Sequence, residues 1–316
     1  MRPCSAGLDD TGSNPLDKLA TLGRRAQVQP FMSVQRSIFE GVPVNFVGTA
    51  YGQLSFAVTD LELAGAMPLM FQRAYSSDRS EDVGLGAGWT FVLDDRITLD
   101  NDKATMKTGD GNAIQFRRDS SSSHFRLQTD SPLPHQSFDL VNETTITEQV
   151  GGLTRTYIKL GDAYRLSRIA DVNANAVTVS FNASGNISRI ESSSGRALSL
   201  NWSDGADARL LSIADNIGRR VVFKQDNKRL RSFTDPAGAQ WTYDYEGGLL
   251  TRVSDPLNRT LLRVRYDRAG RVIEAGDAAG AYLYDYGLAS ATISQSTTVQ
   301  TRWAQRPISS ILKKEW

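Results

Sequence analysis

The chain has 316 residues of which 40% are hydrophobic, enough to bury a core in one large all-β domain or two smaller ones. Lysine and arginine number 36 against 35 acidic residues, so no global field gathers nucleic acid or an anionic membrane at the surface. The lone cysteine, Cys4, excludes an intrachain disulfide and a cysteine-built zinc site, and no apolar stretch is long enough to span a bilayer.

Residues 1–41 read as a mobile leader with one short helix around Leu16 to Leu22, because Gly, Pro, Ser and Asp there favour turns. Asp9, Asp10, Asp17 and Lys18 interrupt any apolar run, so a Sec-type signal is not expected. The expected location is cytoplasmic before any export, which would use another route.

Residues 42–160 form the next expected unit, an opening β domain. Its short apolar segments alternate with period two: Leu54, Phe56, Val58; Leu69, Phe71; Phe91, Leu93; Ile97, Leu99. Further strands are predicted at Ala113 to Arg117, Phe125 to Thr129, Phe138 to Val141 and Thr154 to Leu160, between turn clusters such as TGDGN.

From Leu166 the chain repeats itself, and residues 161–287 read as six hairpin units. The turn anchors are Asp171, Ser192, Asp215, Asp235, Asp255 and Asp277, separated by 21, 23, 20, 20 and 22 residues. Five residues before each anchor stand Leu166, Ile187, Leu210, Leu230, Leu250 and Val272; two before stand Ile169, Ile190, Ile213, Phe233, Val253 and Ala275. Two apolar positions three apart in a strand predict a bulge or bend there. Gly195, Gly218, Gly238, Gly280, Asn258 or Ala174 follows three after the anchor, mostly residues that tolerate positive φ. Return strands carry Trp241, Tyr243, Tyr245 or Tyr282, Tyr284, Tyr286 on one face. Residues 288–316 read as an irregular tail.

The unit holding DPLNRT at Asp255 and YDRAGRV at Tyr266 resembles the YD repeat of the Rhs and teneurin-like families. PVNFVGTAYGQLSF from Pro43, TDLELAGAMPLMFQRAYSS from Thr59 and GLGAGWTFVLDDRITL from Gly84 are similar to the opening domain that precedes the repeats in bacterial Rhs proteins. The resemblance implies an all-β fold of tandem antiparallel hairpins in a curved Rhs-type wall. It also implies a structural, non-enzymatic role in a polymorphic toxin or secreted effector, with toxin cargo, other Rhs segments and type VI-like secretion machinery as partners. The relatives' later repeats, autoproteolytic segment and toxin have no counterpart after Tyr286, so the expectation is a truncated or orphan piece. Six hairpins are too few to close the family's shell, which predicts an unpaired edge at Tyr282 to Tyr286 and hence self-association or stabilisation by a separately encoded Rhs piece.

No residue is expected to be catalytic, cofactor-binding or metal-binding. Asp235-Pro236-Ala237-Gly238 superficially matches an autoproteolytic signature but stands in phase with the other turns. Gly84, Gly86 and Gly88 precede a strand rather than the helix a phosphate loop needs, and read as a tight loop entering a sheet. Asp94, Asp95, Asp100, Asp102 and Asp110 lack calcium-loop spacing and read as solvated turn residues or partners of arginines such as Arg96. His124 and His135 are too few for a triad or histidine metal site. The alternative function is carbohydrate or cell-surface binding by an exposed face of strand aromatics.

Overall fold

The structure is a computed structural model that describes residues 47–48, 52–128, 137–286 and 297–303. The expected leader, its helix and His135 lie outside the described residues. Those described contain no helix, and every strand pairing is antiparallel.

Three parts share one hydrophobic core. The first is a sheet in the order β1 (Val47–Gly48), β2 (Gln53–Leu63), β3 (Leu69–Ser76) and β4 (Trp89–Phe91). Every residue of β3 is buried, unlike a sheet with one solvated face.

The second part is β5 (Arg96–Asp100), β6 (Lys103–Lys107), β7 (Ala113–Arg117), β8 (His124–Leu127), β9 (Ser137–Asn142), β10 (Thr145–Val150), β11 (Leu153–Leu160) and β12 (Ala163–Asp171). Neighbours pair in sequence order, and β12 returns to β5 through Tyr164↔Ile97 and Arg165↔Arg96, so these eight strands close on themselves. An eight-stranded ring is just wide enough to be filled by side chains. Ile97, Met106, Phe116, Phe125, Phe138, Ile146, Tyr157 and Leu166 fill it, with Phe138 stacked on Phe125 at 4.8 Å and edge-on to Phe116 at 5.0 Å. Strands β6 and β10 escape the sequence reading because KATMK and TITEQV offer only one or two apolar residues each. Leu93, expected on a strand, instead takes φ 71° just after β4.

The third part leaves from the second half of β12, where Arg168, Ile169 and Ala170 pair with β13 (Ala176–Phe181). It continues through β14 (Ile187–Ser192), β15 (Ala197–Trp202), β16 (Leu210–Asp215), β17 (Arg220–Asp226), β18 (Arg229–Thr234), β19 (Gln240–Glu246), β20 (Leu249–Ser254), β21 (Thr260–Tyr266), β22 (Val272–Gly276) and β23 (Gly280–Tyr286). The final strand, β24 (Thr297–Trp303), pairs with β23 at every residue from Gly280↔Trp303 to Tyr286↔Thr297. The closure found is that of the ring β5–β12, because β12 has enough length to serve β5 with one half and β13 with the other. One expectation is corrected here. The edge at Tyr282 to Tyr286 is covered, and part of the tail expected to be irregular is the strand that covers it.

The turns show what the repeated aspartate does. In Asp171, Asp215, Asp235 and Asp255 one carboxylate oxygen accepts the backbone N–H groups two and four residues on, at 2.7 to 3.0 Å. Each anchor N–H also donates to the carbonyl four residues later. Asp267, in the second turn of its unit, repeats the pattern with Ala269 and Arg271. Such a side chain mimics backbone and fixes the loop locally. The third residue after the anchor is held at positive φ in five units: Ala174 65°, Gly195 79°, Gly218 95°, Gly238 87° and Asn258 60°. The sixth turn is tighter. There Asp277 N–H bonds to Gly280 O at 2.9 Å, and Gly280 does not take positive φ.

Candidate functional site at the inner seam

The predicted bulges occur, one in each of the six units. Register shifts fall where Tyr157, Phe181, Trp202, Gln225, Tyr245 and Tyr266 meet Leu166, Ile187, Leu210, Leu230, Leu250 and Val272. One residue is skipped each time, which turns both apolar positions of the first strand inward. On its other side, each first strand pairs with its return strand for only about three residues, as Arg252↔Arg263, Val253↔Leu262 and Ser254↔Thr260 show for β20 and β21. Beyond that the two strands part, and the bulge residue's N–H and C=O face the gap. Buried backbone groups left without partners are costly, so something must fill it.

Two sources fill the gaps. The first is the end of the return strand: Tyr266 OH donates to Leu250 O at 2.8 Å, Tyr286 OH to Val272 O at 2.7 Å, Trp202 Nε1 to Ile187 O at 2.7 Å and Gln225 Nε2 to Leu210 O at 3.2 Å. Burial pushes the Tyr266 hydroxyl well above its ordinary pKa, so it remains a donor. The second is the inner sheet and its connections. Leu166 N–H donates to Asp95 O at 3.2 Å, Leu210 N–H to Gly84 O at 2.9 Å, Leu250 N–H to Tyr75 OH at 3.0 Å and Val272 N–H to Gly52 O at 2.8 Å. Gly86 forms an isolated β-bridge with Arg229, beside Leu230. The Tyr75 hydroxyl, pushed by burial up to about 12, stays neutral.

This gives the glycines at 84, 86 and 88 a second role beyond the tight loop read from sequence. Gly86 has φ 103°, and a Cβ there would stand 2.8 Å from Lys228 O and 3.0 Å from Arg229 Cα. Only glycine lets this backbone reach the strand gap. Asp82 holds the loop by accepting from the N–H groups of Gly84 and Gly86 at 2.9 and 2.8 Å.

Between these backbone contacts lies an aromatic box around one charge. Alternation on β3 aims Phe71, Arg73 and Tyr75 at the hairpin wall. The Arg73 guanidinium is fully buried, 4.9 Å from the Trp89 ring, 5.1 Å from Phe223 and 4.8 Å from Phe233. It grips Asp60 on β2 with two bonds, at 2.5 and 2.7 Å, and donates to Tyr243 OH at 3.3 Å. Burial alone would disfavour the charged guanidinium, but Asp60 and Tyr243 outweigh it and keep Arg73 charged. Trp89 packs edge-on to Tyr243 at 5.2 Å and donates from Nε1 to Tyr245 OH at 2.9 Å. The strand aromatics are thus core, or packed against it, rather than an open stacking face.

A second charged cluster lies where the closed ring meets the wall. Asp94 accepts from Arg96 at 2.8 Å and from Arg165; Asp95 accepts from Arg155 and from Gly109 N–H at 2.6 Å. Tyr157 OH donates to Glu148 at 2.9 Å. Arginine pairing is as expected, but Asp94 and Asp95 are buried rather than solvated, because the ring closes over them. No group of three or more potential metal ligands occurs among the described residues.

The seam therefore holds two sheets together. It defines a class: an all-β repeat protein whose hairpin units are buttressed by an inner sheet. Residues 226–260 and 246–282 match the RHS Repeat family, and residues 43–116 match a domain family of unknown function, DUF6531. The chain carries RHS repeats. No curated protein matches it in sequence. Among solved structures it is similar to the TcdB2-TccC3-Cdc42 complex, at 10% identity and TM-score 0.40, covering 76% of this chain and 16% of that one. It is also similar to the N-terminal domain of the effector SpvB from Salmonella typhimurium, at 11% identity and TM-score 0.27, covering 78% of this chain and all of that domain. A porin-like protein from Bacteroides uniformis gives 11% identity and TM-score 0.28, with 81% and 98% covered. With TM-scores below one half, these likenesses carry no argument. The chain spans about a sixth of the length of the chain it matches in that TcdB2-TccC3-Cdc42 structure. No helix among the described residues is long and apolar enough to cross a membrane.

Proposed function

We propose that this chain is a structural segment of an RHS-type shell, and that its inner sheet seals one region of the wall while cargo is enclosed or scaffolded beyond it. The observation that carries this reading is the seam: the strand gaps of the hairpin units are filled by Gly52, Tyr75, Gly84 and Gly86 of the inner sheet and its connections. A concave face occupied by the chain's own sheet supports a closing role rather than a binding groove. The same reading has no group making or breaking bonds. Cargo of toxin type and a non-Sec delivery route belong to the proposal and rest on the RHS repeats.

The test is to coexpress the chain with the polypeptide encoded immediately downstream and challenge the mixture with protease. Copurification and protection of that polypeptide, lost when the seam is opened by Gly86→Val, is the expected result. Digestion at the same rate with and without the chain would refute enclosure.

A further inference from the structure

The outer face of the closed ring carries a row of like charges that the fold does not require. In the antiparallel register Lys103 of β6 stands directly opposite Arg117 of β7, and Arg117 directly opposite Arg126 of β8. All three are exposed. Like charges facing each other across strands destabilise a sheet, by roughly 0.2–1 kcal/mol per pair. Asp102 offsets only part of this, 3.7 Å from Arg117 Nε.

Beside the row is a cavity of about 520 Å³ lined by Arg117, Arg118, Ser122, His124 and Arg126, with Asp119 the one carboxylate among the described residues that line it. Arg118 is held in place, donating to Ser122 O and Asn101 O at 3.2 Å each and lying 4.9 Å from the Phe125 ring. Its Nε–H is buried without an acceptor among the described residues. His124 is oriented by Asp139, at 2.7 Å from Nδ1.

We infer that this cavity binds a phosphate group, with Arg117 and Arg126 as its principal ligands and Arg118 as a preset third. A phosphate brings close to two negative charges and three acceptor oxygens, matching several convergent donors better than one carboxylate does. It would also turn the repulsion between Arg117 and Arg126 into a shared contact.

Thermal melting of the full chain, with inorganic phosphate, pyrophosphate or chloride at matched ionic strength, tests this. The expected result is a saturable rise in melting temperature with phosphate and a larger one with pyrophosphate, but none with chloride. The Arg117→Gln/Arg126→Gln double variant should lose the rise while melting, without added anion, no lower than the parent. A nucleoside diphosphate that exceeds pyrophosphate assigns the site to a nucleotide, and equal shifts assign it to the free oxyanion. A chloride effect equal to that of phosphate, or a phosphate shift that survives in both single variants and the double, overturns the proposal.

Discussion

Replacing Asp60 by Asn removes the one carboxylate bonded to the fully buried Arg73 guanidinium among the described residues. Arg73 would keep its four nearby rings and the Tyr243 hydroxyl, and each such cation–π contact is worth about 2 kcal/mol or more when desolvated. The lost ion pair is worth more than any one of them, since two unit charges at ~4 Å attract by about 4 kcal/mol at an effective dielectric near 20. Breaking one partner of a buried pair costs about 3–5 kcal/mol, a large part of a typical ~5–15 kcal/mol total. Urea unfolding followed by tryptophan fluorescence should therefore show Asp60→Asn strongly destabilised, with the Trp89 environment as reporter. Arg73→Met should cost a similar amount, whereas the Asp60→Leu/Arg73→Met double variant should recover most of the loss, because no charge is then left buried. An Asp60→Asn cost under about 1 kcal/mol would refute the argument and make the aromatic box sufficient by itself. A double variant as unstable as the sum of the singles would do the same.

Gly86→Ala should destabilise by more than the ~1–3 kcal/mol of backbone strain alone, because its Cβ meets Lys228 O, while Gly238→Ala, with open space around it, should cost only the strain. Paired chemical denaturation curves compare the two. Tyr75→Phe leaves Leu250 N–H without an acceptor at a cost of about 1–3 kcal/mol, and amide exchange at Leu250 should accelerate selectively. Acid should loosen the turns. The Asn175 side-chain amide and two backbone N–H groups hold the Asp171 carboxyl below its usual range; at Asp215, Asp255 and Asp267 burial pushes upward, but hydrogen bonds from Arg219, Arg259, Arg271 and the backbone outweigh it. Folded-state pKa values below the unfolded ~3.9 mean that this stabilisation is complete above the unfolded value and lost as pH falls through the folded ones. Urea midpoints should fall as pH drops below about 4, and Asp255→Asn with Asp267→Asn should flatten that slope; an unchanged slope would count against the turns as its source.

Much of the wall was legible in the sequence because its rules are local. An aspartate that caps two N–H groups, a residue tolerant of positive φ three positions later, and apolar positions three apart are all set within a few residues of chain. Together they dictated six hairpins, their phase and a bulge in each. The sequence did not reveal which partner each bulge would take, since Leu210 finds Gly84 and Leu250 finds Tyr75 across more than a hundred residues. Arg73 between Phe71 and Tyr75 was the available sign of a buried charge at the seam, but only packing supplies its counterion and its box of rings. Closure was likewise hidden. Tyr164 and Arg165 look like any strand residues, and their pairing with Ile97 and Arg96 depends on a half-strand offset of β12 that no local pattern encodes. The strand at Thr297–Trp303 has little apolar alternation, and its assignment comes from the backbone edge of β23 beside it, a nonlocal interaction that tertiary structure alone decides.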